Sequence, residues 1–420
     1  MNIQVLTGDF TLSSRGLVVV TFLTSGTLAW FFLLQVYLDE IFLTLAIDLF
    51  WANISKDLFF GVGVFSAIVG SLIAKKVNRN KFLMAWITLG IISTIALVLF
   101  QGTLLCAISG ILLGLSLGLG LPSCLAFLSD SSTIEERGRV AGITILESFV
   151  MAFITLTVME MLHLELLPIL ILVTVVRSIS FLALLLDTNE TINKKPKQDL
   201  VKNAYSEFVY YLIPWIMFVV AATTASNVIT AITTDPSGPQ IQSYESVIRL
   251  GNVFRYAFIA IFGFLSGIVI DRVGRKQTII IGLTSLGIGF ALLGSPLLSE
   301  TIILVYFMAS GIAWGSFLTV FLVVPGDLSI SGSREMFYAF GTIGPLIVLF
   351  SFSMINADWL NKLITDISPT SFSQILSVIL FISIVPVMRA KETLTESKKQ
   401  KRKLKEHIER VVKLARDSEK

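Results

Sequence analysis

The sequence predicts an all-α membrane protein with twelve transmembrane helices in two pseudo-symmetric six-helix bundles and both termini cytoplasmic. Three observations carry this reading: a composition suited to lipid, twelve apolar runs of spanning length, and a pattern of small and charged residues that recurs halfway along the chain. Of 420 residues, 54% are hydrophobic and only 15% charged. A water-soluble chain of this size needs far more charged surface. Lys+Arg 32 against Asp+Glu 29 leaves a net charge of +3, so the placement of the charges says more than their sum. The expected partner at this point is the lipid bilayer, with no nucleic acid.

A bilayer core of ~30 Å needs about 20 apolar residues per helix. Such runs fall near 17–38, 51–74, 82–100, 104–128, 141–162, 166–186, 207–232, 246–270, 277–297, 301–325, 336–356 and 371–389. Lipid offers no partner to an unpaired backbone amide, and the runs are apolar all round, so helices rather than barrel strands are predicted. The segment Met1–Gly16 is polar, and the run after it is too long for a signal-peptide core, so it reads as a retained first span.

The loops sort by charge. One side carries Lys75, Lys76, Arg79 and Lys81, then Arg137 and Arg139, then Lys194, Lys195, Lys197 and Lys202, then Arg272, Arg275, Lys276 and Arg334. The other side holds Asp39, Glu40, Glu165, Asp235, Glu300, Asp358 and Asp366, with Lys362 as the main exception. Basic loops stay inside, which places both termini in the cytoplasm. The hydrophilic segment 187–206 divides the chain into an N-terminal bundle, 1–186, and a C-terminal bundle, 207–389. The tail, 390–420, reads as a basic amphipathic helix, with Leu404, Ile408, Val411 and Ala415 on one face. It can lie on anionic headgroups or stand in solvent as an orienting tail.

Two cysteines, Cys106 and Cys124, fall in the predicted fourth span, separated by roughly 27 Å of helix, which excludes a disulfide between them. Two histidines, His163 and His407, cannot build a His-rich metal site. No metal or other cofactor is expected. No nucleophile elbow or pair of mid-membrane aspartates is present either, so an enzyme is not expected.

The halves resemble each other at a fixed offset. Gly114, Gly118, Asp130 and Arg137 match Gly311, Gly315, Asp327 and Arg334, all 197 residues on. At an offset of 196, Lys76, Val77 and Arg79 match Arg272, Val273 and Arg275. This reads as a parallel six-helix repeat. Within it, Gly267 lets two helices approach closely. Asp271 can meet the positive N-terminal end of another helix. Gly274 permits a tight reversal, and Arg272 and Arg275 can pair with carboxylates that end neighbouring helices.

The stretch Gly267-Ile-Val-Ile-Asp271-Arg272-Val273-Gly274-Arg275-Lys276 closely resembles the G-x-x-x-D-R-x-G-R-K/R loop signature of the major facilitator superfamily. It lies between spans eight and nine, where the second copy of that signature belongs. The resemblance implies that Asp271 faces the start of span five in an inner gate, and that Arg272 pairs with Asp327. The first copy departs: its aligned residues are Ser71, Lys75, Lys76, Val77, Asn78, Arg79 and Asn80, with lysine in place of the gate aspartate. The expected gate therefore has two ion pairs of opposite sense, Asp271 with Arg139 and Lys75 with Glu335.

The same resemblance implies a central cavity lined by spans one, two, four, five, seven, eight, ten and eleven. Arg255, about 24 Å above Asp271 on span eight, and Asn252 on its face are then candidates for substrate or coupling. Arg177 and Glu147 are further candidates, and they also read as an ion pair inside the N-terminal bundle. Thr224 and Asn227 sit in a hydroxyl-rich stretch of span seven, while Trp30, Gln35 and Trp314 are weaker cavity candidates. The expected function is secondary active or facilitative transport of a small organic solute across the membrane by alternating access, by a monomer in the cell membrane. A transporter-like receptor without turnover is the alternative, as is proton-coupled efflux of cationic drugs. The latter wants a buried carboxylate, for which Glu147 is the candidate. The antiporter glycine-proline motif is missing from span five; Gly341-x-x-Gly344-Pro345 lies on span eleven instead.

Overall fold

The computed structural model describes residues 12–46, 48–99, 102–186, 204–234, 244–295, 299–329, 333–355 and 357–394. Ten of the predicted spans form as single helices. They are α1 (Ser14–Leu45), α2 (Leu49–Ala74), α3 (Arg79–Leu99), α6 (Arg137–Met161), α7 (Leu166–Leu185), α8 (Ala204–Thr234), α9 (Tyr244–Arg272), α10 (Arg275–Leu293), α11 (Glu300–Leu328) and α12 (Arg334–Met354). Side-chain caps set several starts. Ser13 accepts from the Gly16 amide, Asp48 from that of Phe50 and Ser299 from that of Ile302, filling donors that a helix start leaves empty.

Two spans are broken rather than continuous. Span four is α4 (Thr103–Gly118) followed by α5 (Leu121–Ser131), with Pro122 in the first turn of α5. Proline has no amide for the carbonyl four residues back, so the ladder parts there. Cys106 and Cys124 therefore lie on different helices, both as free thiols. Span twelve is α14 (Pro369–Ile382) followed by α15 (Ile384–Arg389), again beside a proline, Pro386. A helix the sequence reading left as loop, α13 (Ala357–Ile367), precedes it, burying Leu360 and Ile364 and exposing Trp359. The predicted tail helix and most of the 187–206 linker lie outside the described residues.

Among the described residues twelve spans are long and apolar enough to cross a membrane, in two six-helix bundles, and the chain is a multi-pass membrane protein. Within each bundle one helix pair is drawn close by glycine. On α4, Gly110, Gly114 and Gly118 rest against Ser55, Phe59 and Gly63 of α2; on α11, Gly311 and Gly315 rest against Arg255, Ile259 and Gly263 of α9. A Cβ at any of these glycines would overlap the facing backbone. The bundles meet along two seams, α6 against α9 and α2 against α12. Both seams reach the end of the molecule that carries the basic loops, called the basic end below.

The positive-inside asymmetry gives an expected outcome for labelling. With Cys106 and Cys124 replaced by alanine, a cysteine at the exposed Val77 should react only from the cytoplasm, and one at the exposed Leu162 only from outside. Impermeant maleimides applied to intact cells and to inverted vesicles make the measurement. Labelling of both positions from one face would overturn the topology.

Candidate functional site

At the basic end six charged residues sit at helix termini. Arg79, Arg137, Arg275 and Arg334 begin α3, α6, α10 and α12, while Asp130 and Asp327 lie in the last turns of α5 and α11. Each aspartate accepts from two arginines. Asp327 takes Arg275 Nε at 2.8 Å on one oxygen and Arg137 Nη1 on the other. Asp130 takes Arg79 Nη1 at 2.5 Å and Arg334 Nη1. In both cases one arginine belongs to the aspartate's own bundle and the other crosses from the opposite bundle. These are the residues the repeat placed in register, so the pseudo-symmetry of the sequence returns as a reciprocal pair of ion bridges.

Further donors of Arg137 and Arg275 are also used. Arg137 Nη2 donates to the carbonyls of Ser129 and Ser132 at 2.8 and 3.1 Å. Arg275 donates to the carbonyl of Ile270 at 3.0 Å and, across the seam, to that of Ile134 at 2.9 Å. Arg137, Asp327, Arg275 and Arg334 are buried. An arginine cannot shed its proton. Buried there, each needs a carboxylate and carbonyls close by.

On the α6–α9 seam Asp271 lies against the first turn of α6. Its carboxylate accepts the Gly138 and Arg139 amides at 2.9 Å each, and Arg139 Nε stands 3.5 Å away. The positive end of the α6 dipole favours this anion. A side chain at Gly138 would collide with Asp271 and with the Gly267 carbonyl, so the cap depends on glycine there.

Two expected pairs are corrected. Arg275, not Arg272, bonds Asp327: Arg272 ends α9 and is exposed, whereas Arg275 starts α10 and turns inward across the bend. At that bend Gly274 has φ of +137°, which L side chains resist. Likewise Glu335 is bonded at 2.5 Å by Arg79, not by Lys75, which is exposed at the end of α2. Ser71, the counterpart of Gly267, faces Met336, with its hydroxyl 3.7 Å from the sulfur.

Sequence reasoning missed a strap formed by the residues after α15. Glu392 accepts the amides of Arg275 and Lys276 at 3.0 and 3.2 Å, capping α10. Thr393 donates to Asp327 at 2.9 Å, joining the same node. The strap is held to α8 as well: the Lys391 amide donates to Glu207 at 2.8 Å and Tyr211 donates to the Lys391 carbonyl at 2.7 Å. Lys276 Nζ, from the signature, donates to the Met388 carbonyl at 2.7 Å.

The mid-membrane candidates do not converge on one point. Arg177 is buried in the N-terminal bundle, 4.7 Å from the Trp30 ring and 4.2 Å from that of Trp86, and donates to Thr27 at 2.7 Å. Trp30 in turn donates to Thr94. The expected Arg177–Glu147 pair is absent: Glu147 accepts from Thr21 at 3.2 Å instead. Both touch α1, but Thr21 and Thr27 are separated by about 9 Å of helix rise. Thr224 bonds back to the Ala221 carbonyl and Asn227 donates to Asn361 of α13, so neither offers a free polar wall. Trp314 is edge-on to Trp215 and Phe218, inside an aromatic cluster of the C-terminal bundle, and Gln35 is exposed. Arg255 and Asn252 are half-buried. Arg255 donates to Tyr256 at 3.2 Å and lies over the rings of Tyr256 and Phe307, with no carboxylate bound to it among the described residues.

No family model matches the sequence, and no curated protein matches it. Solved structures do. One is the proton:xylose symporter XylE of the major facilitator superfamily, bound to 6-bromo-6-deoxy-D-glucose. It is 14% identical with a TM-score of 0.66, over 90% of this chain and 96% of that one. FucP, a transporter of the same superfamily in the outward conformation, gives 11% and 0.67 over 90% and 99%. The human organic anion transporter MFSD10 gives 14% and 0.55 over 89% and 99%. At such identities the likeness is one of architecture, and it defines the class: this chain has the major facilitator fold.

The corrected pairing has a direct consequence for stability. Lys75→Gln should leave the unfolding free energy in detergent within about 0.5 kcal/mol of the parent, as for an isolated surface charge. Arg79→Gln strands Glu335 and half of Asp130 and should cost about 3 kcal/mol. Equal effects from the two substitutions would contradict the assignment.

Proposed function

We propose that this protein carries a small organic solute across the cell membrane by alternating access, and that its structure is the state closed at the cytoplasmic side. The observation that carries the reading is the pattern of bridges between bundles. Arg137–Asp327, Arg334–Asp130 and Arg79–Glu335 all cross the seam, and all lie at the basic end. They form only while that end is shut, which is the differential contact a two-state switch requires. Solved neighbours of the same fold are named as a proton:xylose symporter and an organic anion transporter, which supports solute transport as the function.

The solute is proposed to be an organic anion. Arg255 is a half-buried mid-membrane cation held by aromatic faces and one hydroxyl, so its guanidinium keeps donors for a ligand, whereas Arg177, held in a similar way, is sealed inside the N-terminal bundle. Such a charge is costly within a span unless it has a use. Asn252, one turn away, supplies an amide on the same stretch of α9.

The test is a thermal-shift panel of aliphatic and aromatic carboxylates beside neutral sugars. A carboxylate at one hundred times its dissociation constant should stabilise the parent by about 2.7 kcal/mol. Arg255→Ala should abolish that shift without lowering the unliganded midpoint, and Arg255→Lys should restore it only in part, since ammonium cannot form the planar fork. Stabilisation by neutral sugars alone, unchanged in Arg255→Ala, would refute the anion assignment.

A further inference from the structure

The N-terminal bundle holds a carboxylate deep in a span with a buried oxygen that no hydrogen bond reaches; Asp57 of α2 has such an oxygen as well, on the helix of the other seam. Glu147 lies on α6, ten residues above Arg137 and so about 15 Å from the basic end, well inside the span. One oxygen accepts from the Thr21 hydroxyl of α1 at 3.2 Å. The Ser25 hydroxyl, one turn further along α1, donates to the Phe22 carbonyl at 3.5 Å. The other oxygen, Oε2, is buried without a hydrogen-bond partner.

Among the described residues no cation is bonded to it. Helix α6 packs against α1, α7, α9 and α11. On α7 the one charged side chain within the span, Arg177, is taken up by two indoles and Thr27. On α9, Arg255 and Tyr256 bond each other, and Asp271 is engaged at the start of α6. On α11, Asp327 belongs to the gate, and α1 offers hydroxyls alone at this level. An ionised carboxylate left in such a place is far more costly than its protonated form, which carries one O–H donor for a neighbouring hydroxyl.

The position couples this group to both functional regions. Gly138 and Gly142, lower on α6, form the seam with Gly267 and Phe264 of α9. Two residues above Glu147, the Phe149 ring lies 5.0 Å from that of Phe32 on α1, and Phe32 lies 5.0 Å from Tyr256, the ring that takes the Arg255 hydrogen bond. A change in how α6 sits on α1 is therefore felt at the gate below and at the proposed solute site above.

We infer that Glu147 is a proton-carrying site of the transport cycle: it holds one proton in the state closed at the basic end and exchanges it with water once that end opens. The proposal rests on the alternating-access reading and adds to it the coupling ion and its carrier. The sign follows from the packing. The closed state binds the proton more tightly, so acid favours closure and rising pH favours opening.

The experiment uses the full chain in detergent with Cys106 and Cys124 replaced by alanine. A fluorophore pair at the exposed residues Lys81 and Val273, one on each bundle at the basic end, reports closure by energy transfer. The parent should pass from high to low transfer in one step as pH rises. Glu147→Gln should lose that step and stay closed at every pH. Glu147→Asp should keep it with a moved midpoint, and so should Thr21→Val, which spares the carboxyl. Infrared spectra should show one protonated-carboxyl band fewer in Glu147→Gln than in the parent. A pH step unchanged in Glu147→Gln would overturn the proposal, as would a response to sodium in place of pH. Should transfer never vary under any condition or variant, the alternating-access reading itself fails, a result distinct from two states that switch without regard to Glu147.

Discussion

The structure depends on one constraint: three fully buried guanidinium groups at the basic end must each meet a carboxylate. Arg137, Arg275 and Arg334 are at most 1% exposed, and Asp130 and Asp327 are shared between them and Arg79. Asp327 needs its own bundle to supply Arg275 and the other to supply Arg137, and Asp130 is served in the mirrored way. Deleting one member of such a buried pair costs about 3–5 kcal/mol, because a charge is stranded in low dielectric. Parting the two bundles is different, since water then reaches both partners at once. Under the proposed alternating access, such a gate is specific and well formed while the two states stay within a few kcal/mol of each other, the range in which a solute can shift the balance.

The two seams solve the same problem with the charges exchanged. On one, the acid comes from across: Asp271 of α9 caps α6, and Gly138 stands where its approach demands the absence of a side chain. On the other, the position of Asp271 is Lys75 and the position of Gly138 is Glu335, at the respective offsets of 196 and 197. The acid now sits on the capped helix itself, and Arg79 reaches over to it. The glycine contact is lost with it, Ser71 against Met336 replacing Gly267 against Gly138. Behind the second aspartate the strap Lys391–Leu394 ties the last helix to the gate through Thr393 and Glu392. That support belongs to the α9–α10 side of the basic end.

Much of this was legible in the sequence for a physical reason. Lipid compels helices, sets their length and sorts their loops by charge, so the twelve spans and the repeat could be read without coordinates. Breaks at Pro122 and Pro386 and the short helix α13 were not, because local backbone chemistry matters less to hydropathy than to geometry. Pairing was the hardest part. Arg272 and Arg275 share one loop, and only the start of α10 decides which one turns inward. The repeat held the answer, since Arg79 aligns with Arg275 and both end on the aspartate of their own bundle. Glu147 and Arg177 read as similar in depth, but their partners on α1, Thr21 and Thr27, stand about 9 Å apart along that helix, a difference that counting residues from the span ends does not resolve. The strap lay beyond reach because its carboxylate follows the last span with no counterpart in the repeat.

The central claim is that bridges between bundles at the basic end hold one of two states. Spin labels at Lys81 and Val273 allow it to be measured as a distance distribution by pulsed electron resonance, in the parent and in Arg137→Met with Arg334→Met. The account predicts a short distance dominant in the parent and a longer one in the double variant, with Asp327 still bonded by Arg275 and Asp130 by Arg79 so that each bundle survives intact. A single short distance, the same in both proteins, would mean that the bridges do not hold the end shut and would contradict the account.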